Sequence, residues 1–178
     1  LEMTIFRNRW QENMNADGKL YDAQADALEK LHAKGPDVGA DAAAVGLRAL
    51  SHVLKACYDQ KLTHNQIVTF KLGELIAYAE TAAAFCRQSA AKTHSEGVLF
   101  DHETWQAMSR IHARQAASWI AAEGMRLVAG ASESAPAEFV KSLNLNAVAA
   151  VQKGALKDMD TVALKLAEVF KAEQAVAA

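Results

Sequence analysis

The sequence predicts an all-α protein, and three observations carry that prediction. Alanine, the strongest helix former, supplies 38 of the 178 residues. Glycine and proline together number only 11, so turns are few and elements are long. Apolar residues recur at steps of three and four, and no run alternates as a half-buried strand would. The expected architecture is an antiparallel, up-and-down four-helix-type bundle with additional flanking helices. Helical segments over 1–40 should precede a core bundle over 41–130, with C-terminal helices over 131–178 packing on it.

Each element follows from local pattern. Phe6, Trp10 and Met14 recur every four residues until Asn15-Ala16-Asp17-Gly18 interrupts them. A second helix, Tyr21 to His32, sets Ala25 and Leu28 on one face and stops at Gly35-Pro36. The third is expected from Asp41, as N-cap, to about Gln60, with Leu47, Leu50, Leu54, Cys57 and Tyr58 on one stripe. Arg48, His52, Lys55 and Asp59 share its other face. Thr63 and Gln66 then have capping-box spacing, in which each side chain satisfies an orphan N–H at a helix start. That helix should reach about Lys92 behind a stripe of Val68, Leu72, Leu75, Ala79, Ala82 and Cys86, with Ser95-Glu96-Gly97 as a loop.

Asp101 is expected to cap the next helix, whose inward stripe reads Trp105, Met108, Ile111, His112, Ala116 and Trp119, and which ends near Ala129-Gly130. A Ser/Glu-rich loop leads to Pro136, followed by a short segment over Phe139 to Leu143 and a helix from Asn146 toward Gly154. The last helix, Asp158 to Gln174, should bury Met159, Val162, Leu166, Val169 and Phe170. Lys165, Glu168 and Lys171 should face water, and Glu173 falls on the apolar side as the helix leaves the core.

Several functions are disfavoured. A net charge of −2 leaves no basic excess for a phosphate backbone, so nucleic acid is not an expected partner. No run approaches the roughly 18 apolar residues of a membrane span. Cys57 and Cys86 sit in helical patterns without metal spacing, as reduced core thiols of an intracellular, cytoplasmic protein do. The opening Leu1-Glu2-Met3 fits a vector scar before a start Met, or a piece of a longer chain.

The chemistry of sites is thinly represented. A carboxylate-bridged di-iron bundle needs two Glu-x-x-His motifs, and only Glu29-Lys30-Leu31-His32 fits, so no metal is expected. His112, alone between tryptophans, reads as a core histidine. His94, His102 and Glu103 lack ligand spacing. His52 lies five residues from Cys57, roughly 140° around a helix, so no thiol–imidazole pair forms. No phosphate-cradling glycine loop is present. Trp105, Met108 and Trp119 could form a ligand platform, although such spacing is more often core, and Glu74 and Glu80 read as solvated.

One family resemblance emerges. Lys55 to Leu75, KACYDQKLTHNQIVTFKLGEL, resembles the helix–turn–helix opening of the C-terminal helical domain of acyl-CoA dehydrogenases, with Tyr58, Leu62, Gln66, Phe70, Leu72 and Leu75 in register. The following IAYAETAAAFCRQSA is similar to the same helix, and Trp105 to Leu127 to the next, ending in Glu123-Gly124-Met125-Arg126. The likeness covers roughly 42–130. Lys55 and Asp59 replace the Arg and Gly of the family's flavin-contacting turn, and Val128-Ala129-Gly130-Ala131 keeps a single glycine. The catalytic barrel is not in this sequence. Asn65-Gln66, Leu72 and Ile76-Ala77-Tyr78-Ala79 are most similar to the appended C-terminal domain of very-long-chain-type members.

The resemblance implies an FAD-dependent parent in fatty acid metabolism, which would dehydrogenate an acyl thioester. It implies an assembly role for this chain, with Gln66 the one position matching a cofactor contact, no assignable catalytic residue and no FAD bound by the chain alone. Implied partners are a second copy or the rest of the parent enzyme, with peripheral membrane contact. A free-standing self-association module is the alternative.

Overall fold

A computed structural model describes residues 2–35, 37–91, 100–131 and 137–177, with side chains to 172. Pro36, His94, Ser95-Glu96-Gly97, Pro136 and the side chain of Glu173 lie outside the described residues. Those described are helical, without a strand: α1 (Glu2–Asn15), α2 (Leu20–Lys34), α3 (Ala40–Asp59), α4 (Gln66–Ala91), α5 (His102–Gly130), α6 (Ala137–Ser142), α7 (Leu145–Ala150) and α8 (Ala155–Ala177). The all-α class follows the composition.

Helix α1 lies along α4, and beyond a bend α2 continues along α3. Thr69 Oγ1 donates to Met3 Sδ at 3.3 Å, Arg9 Nε donates to Glu80 at 3.0 Å, and Tyr21 Oη donates to the same carboxylate at 3.4 Å. The bend falls where it was expected, at Asp17 (φ +52°) and Gly18 (φ +75°). Buried Asn13 reaches across it, its Oδ1 accepting from Leu20 N–H at 3.2 Å and so capping α2. Ser51 donates to Asp22, and Arg48 holds Glu29, which fixes α2 antiparallel to α3.

Helix α3 is the centre. Its predicted stripe of Leu47, Leu50, Leu54 and Cys57 is buried, but Tyr58, expected on the same stripe, is 53% exposed; the adjoining side of Ala43, Gly46 and Val53 is buried as well. That second side meets α5 in parallel, the most extensive helix contact of the fold. Gly46 faces Ala117, and Gly124 faces Val53. A Cβ at Gly124 would lie 2.1 Å from Val53 Cγ2, so only glycine permits this approach. Helix α4 runs antiparallel to α5, placing Tyr78 beside Trp119 and Phe85 beside Trp105. The predicted α4 stripe, Val68 through Cys86, is buried throughout.

Four expectations are corrected. The cap of α4 is Asn65, not Thr63: Asn65 Oδ1 accepts from Ile67 N–H at 2.9 Å, while Thr63 sits in a 3-10 turn over Leu62–His64. Asp41 lies inside the first turn of α3, whose cap is Gly39. On α5 the buried face is small, with Ala113, Ala117, Ile120, Ala121 and Gly124, and the aromatic stripe is only half-buried. Close approach to α3 selects side chains by size, so alanine enters the core ahead of tryptophan. On α8 the packed face carries Asp158 and Lys165 with Val162 and Val169 of the expected stripe half-buried beside them, while its other members, Met159, Leu166 and Phe170, are exposed. Asp101 does cap α5, accepting from Thr104 N–H at 2.8 Å.

Candidate interaction surface

The outer edge of the α4–α5 pair carries the largest aromatic assembly of the described residues. Positions 105, 112 and 119 on α5, and 78 and 85 on α4, are seven apart, so each set stays on one line of its helix. Tyr78 packs edge-on to Trp119 with centroids 4.3 Å apart, and Phe85 packs edge-on to Trp105 at 5.0 Å. His112 lies between them, 5.9 Å from Tyr78 and 6.4 Å from Phe85. Burial among these rings holds its imidazole below the ordinary histidine range, so it is neutral at neutral pH. Its Nε2 is buried and has no hydrogen-bond partner among the described residues. Lying opposite the alanine face turned to α3, this row is neither core nor ordinary solvent surface.

A second feature holds α8 in place. Arg110 donates from Nε to Asp158 at 3.0 Å and from its terminal nitrogen at 2.6 Å, and Arg114 donates to the other carboxylate oxygen. Arg110 also reaches the Asp37 carbonyl at 2.6 Å, and Arg114 the carbonyls of Val151 at 2.8 Å and Lys153 at 2.9 Å. Burial would raise the Asp158 carboxyl, but hydrogen bonds from both arginines outweigh it and hold the group below the usual carboxylate range. Lys165 reaches Asp101 at 3.4 Å, extending the contact toward the start of α5. Sequence reasoning missed this clamp, because its partners lie more than forty residues apart.

The remaining candidates resolve as structural contacts. A cleft of about 400 Å3 beside Trp10 and Tyr58 is edged by Asp17, Asp22, Ser51 and Lys55. Ser51 donates to Asp22 at 3.0 Å, and exposed His52, the next residue on the helix, points about 100° away, so no Ser–His–Asp relay forms. Glu29 is engaged by Arg48, His32 lies 3.9 Å from Asp41, and no three ligand-type side chains converge among the described residues. Glu80 is not solvated as expected but holds Arg9 and Tyr21. Burial pushes the thiols of Cys57 and Cys86 up to about 12 and about 11, well above the range of reactive cysteines.

Gln66 is the exposed first residue of α4, Lys55 is paired with Asp59 at 2.8 Å, and a Cβ on Gly130 would meet nothing within 4 Å. These positions build no cradle for a pyrophosphate, whose two charges need cationic donors or closely approached backbone. No described helix is long and apolar enough to cross a membrane. Compared with protein families, curated proteins and solved structures, the chain matches no family model, no curated protein and no solved structure.

Proposed function

We propose that this chain is a helical assembly domain, the C-terminal helical part of an acyl-CoA dehydrogenase-like flavoprotein, and that it contributes contacts and not chemistry. The observation that carries the reading is the half-buried row of Tyr78, Phe85, Trp105, His112 and Trp119. Aromatic side chains gathered at a surface supply large, stiff contact area, and they concentrate where one protein docks on another. The close α3–α5 packing supports it further, giving that row a rigid backing. Gln66, exposed at the start of α4, is the position through which the domain would touch the parent's FAD, which the catalytic part would hold. In that reading the flavin supplies hydride acceptance elsewhere in the parent, and this chain supplies no step of the reaction.

The test is the reading frame on either side of the coding region. A flavoprotein core encoded upstream is expected, and its separately expressed product should co-purify with this chain. Tyr78→Glu combined with Trp119→Glu should abolish that co-purification while leaving the helical signal intact. An upstream frame without such a core would overturn the flavoprotein assignment. The alternative, a free-standing self-association module, is favoured by one specific observation, the exposed apolar stripe of α8.

A further inference from the structure

Helix α8 is docked about a quarter turn away from where its own hydrophobicity would put it. Asp158, Val162, Lys165 and Val169 face α5. At 100° per residue, Met159, Leu166 and Phe170 centre roughly 100° around the cylinder from Asp158. They are left exposed, by 43% at Met159, 39% at Leu166 and 61% at Phe170, with Leu156 at 77%. With Ala163 the stripe reads 156, 159, 163, 166, 170, alternating steps of three and four. That is the seam of a two-helix coiled coil, held over two heptads, and narrower than the stripe of a helix lying on a globular core.

We infer that this seam pairs with the same seam of a second copy, the two α8 helices running antiparallel across a two-fold axis. The inference deepens the assembly reading, since it names one of the partners. Two considerations select a second copy. First, burying Met159, Ala163, Leu166 and Phe170 on both partners removes roughly 750 Å2, and about 1,000 Å2 where Leu156 at the end of the seam is covered too, the lower edge of specific interfaces. The surface is thus self-sufficient as one half of a symmetric contact. Second, the flanking charges are self-complementary only in antiparallel register. Stacking Met159 on Phe170 and Ala163 on Leu166 of the other copy brings Asp160 within a turn of the other copy's Lys171, and the symmetry repeats the pair. A parallel pairing would carry Asp160 and Lys171, which share one flank of the seam, to opposite sides of the dimer and leave them unpaired.

Sedimentation equilibrium of the whole chain across the micromolar range tests the pairing. A reversible dimer is expected. Leu166→Glu with Phe170→Glu should weaken it at least about tenfold, with circular dichroism confirming that the exposed positions leave the fold unchanged. Asp160→Lys and Lys171→Asp should each weaken the dimer, and the double exchange should restore it. A chain that stays monomeric throughout the range overturns the pairing. So does a dimer indifferent to the Leu166/Phe170 changes, or one that Tyr78→Glu and Trp119→Glu dissolve in their place. Failure of the charge exchange to restore the dimer overturns the antiparallel register. None of these outcomes bears on the flavoprotein assignment, which the upstream reading frame decides separately.

Discussion

The two sides of α5 are attached to the molecule by opposite means. Toward α3 the contact is apolar along its length, with Gly46, Ala117 and Gly124 letting the backbones close against Val53 and Ile120, and Arg110 enters it only at the Gly39 end. Toward α8 the contact is an Asp158 carboxylate shared by Arg110 and Arg114, while the best apolar residues of α8 are turned away. The first attachment depends on volume and fails when an atom is added. The second depends on charge satisfaction and fails when a partner is removed. A buried ion cluster adds little net stability over an apolar contact of the same shape, yet losing one member is costly. Helix α8 is therefore positioned firmly without consuming its hydrophobic face.

The largest expected effect tests the charged side. Asp158→Ala leaves two arginines without a carboxylate and should cost about 3–5 kcal/mol, read as a fall in the denaturation midpoint. A loss below about 1 kcal/mol would mean that solvent already satisfies the arginines, as in a surface pair. On the small-residue side, Gly124→Ala forces Val53 to move and should cost about 1–3 kcal/mol. A neutral result would show that α3 and α5 can part slightly without loss.

Acid should separate the aromatic row from the clamp. His112 has a folded pKa below its unfolded value of about 6.5, so the unfolded chain binds the proton first. Its contribution is complete above about pH 6.5 and is lost as the pH falls below that. Asp158 is also depressed, so its contribution is complete above about pH 4 and disappears only at more acid pH. Denaturation midpoints should decline in two stages, and His112→Gln should flatten the upper one. An unchanged upper stage in that variant would refute the assignment to His112. The smallest effect concerns the start of α4: Asn65→Ala should cost about 1 kcal/mol, whereas Thr63→Ala should leave the midpoint nearly unmoved.

The legible parts of the fold share one property, a single apolar face. The stripes of α2, α3 and α4 could be read directly because nothing competed with Tyr21, Leu50 or Leu72 for the interior. Helix α5 offers two faces, one of alanines and one of large aromatics, and periodicity ranks the aromatics higher. Only the distance to α3 shows that the poorer face belongs inside. Helix α8 was misread for another reason. Its orientation is set by Arg110 and Arg114, 48 and 44 residues away from Asp158, and no local pattern registers such a partner. The cap of α4 failed more narrowly, since Thr63 and Asn65 both have side chains suited to capping, and two residues separate them. The aromatic row itself is visible as spacing, since Trp105, Met108 and Trp119 fit a ligand platform as well as a core stripe. Their half-burial, and the part played by Tyr78 and Phe85 from α4, were not readable from one helix.

The parallel pairing of α3 and α5 also constrains how this chain can change length. Ser109 donates to the carbonyl of Val38, 71 residues away, and Arg110 with Gly39, Ala117 with Gly46 and Gly124 with Val53 keep that same offset. A single deletion between 110 and 124 would turn everything beyond it by about 100°, lifting Gly124 off Val53 and setting Met125 in its place against the crowded seam. A deletion in the connections on either side of α4 would leave every one of those pairings in phase. Insertions and deletions are thus absorbed between the helices, and the spans from 39 to 53 and from 110 to 124 act as fixed rulers.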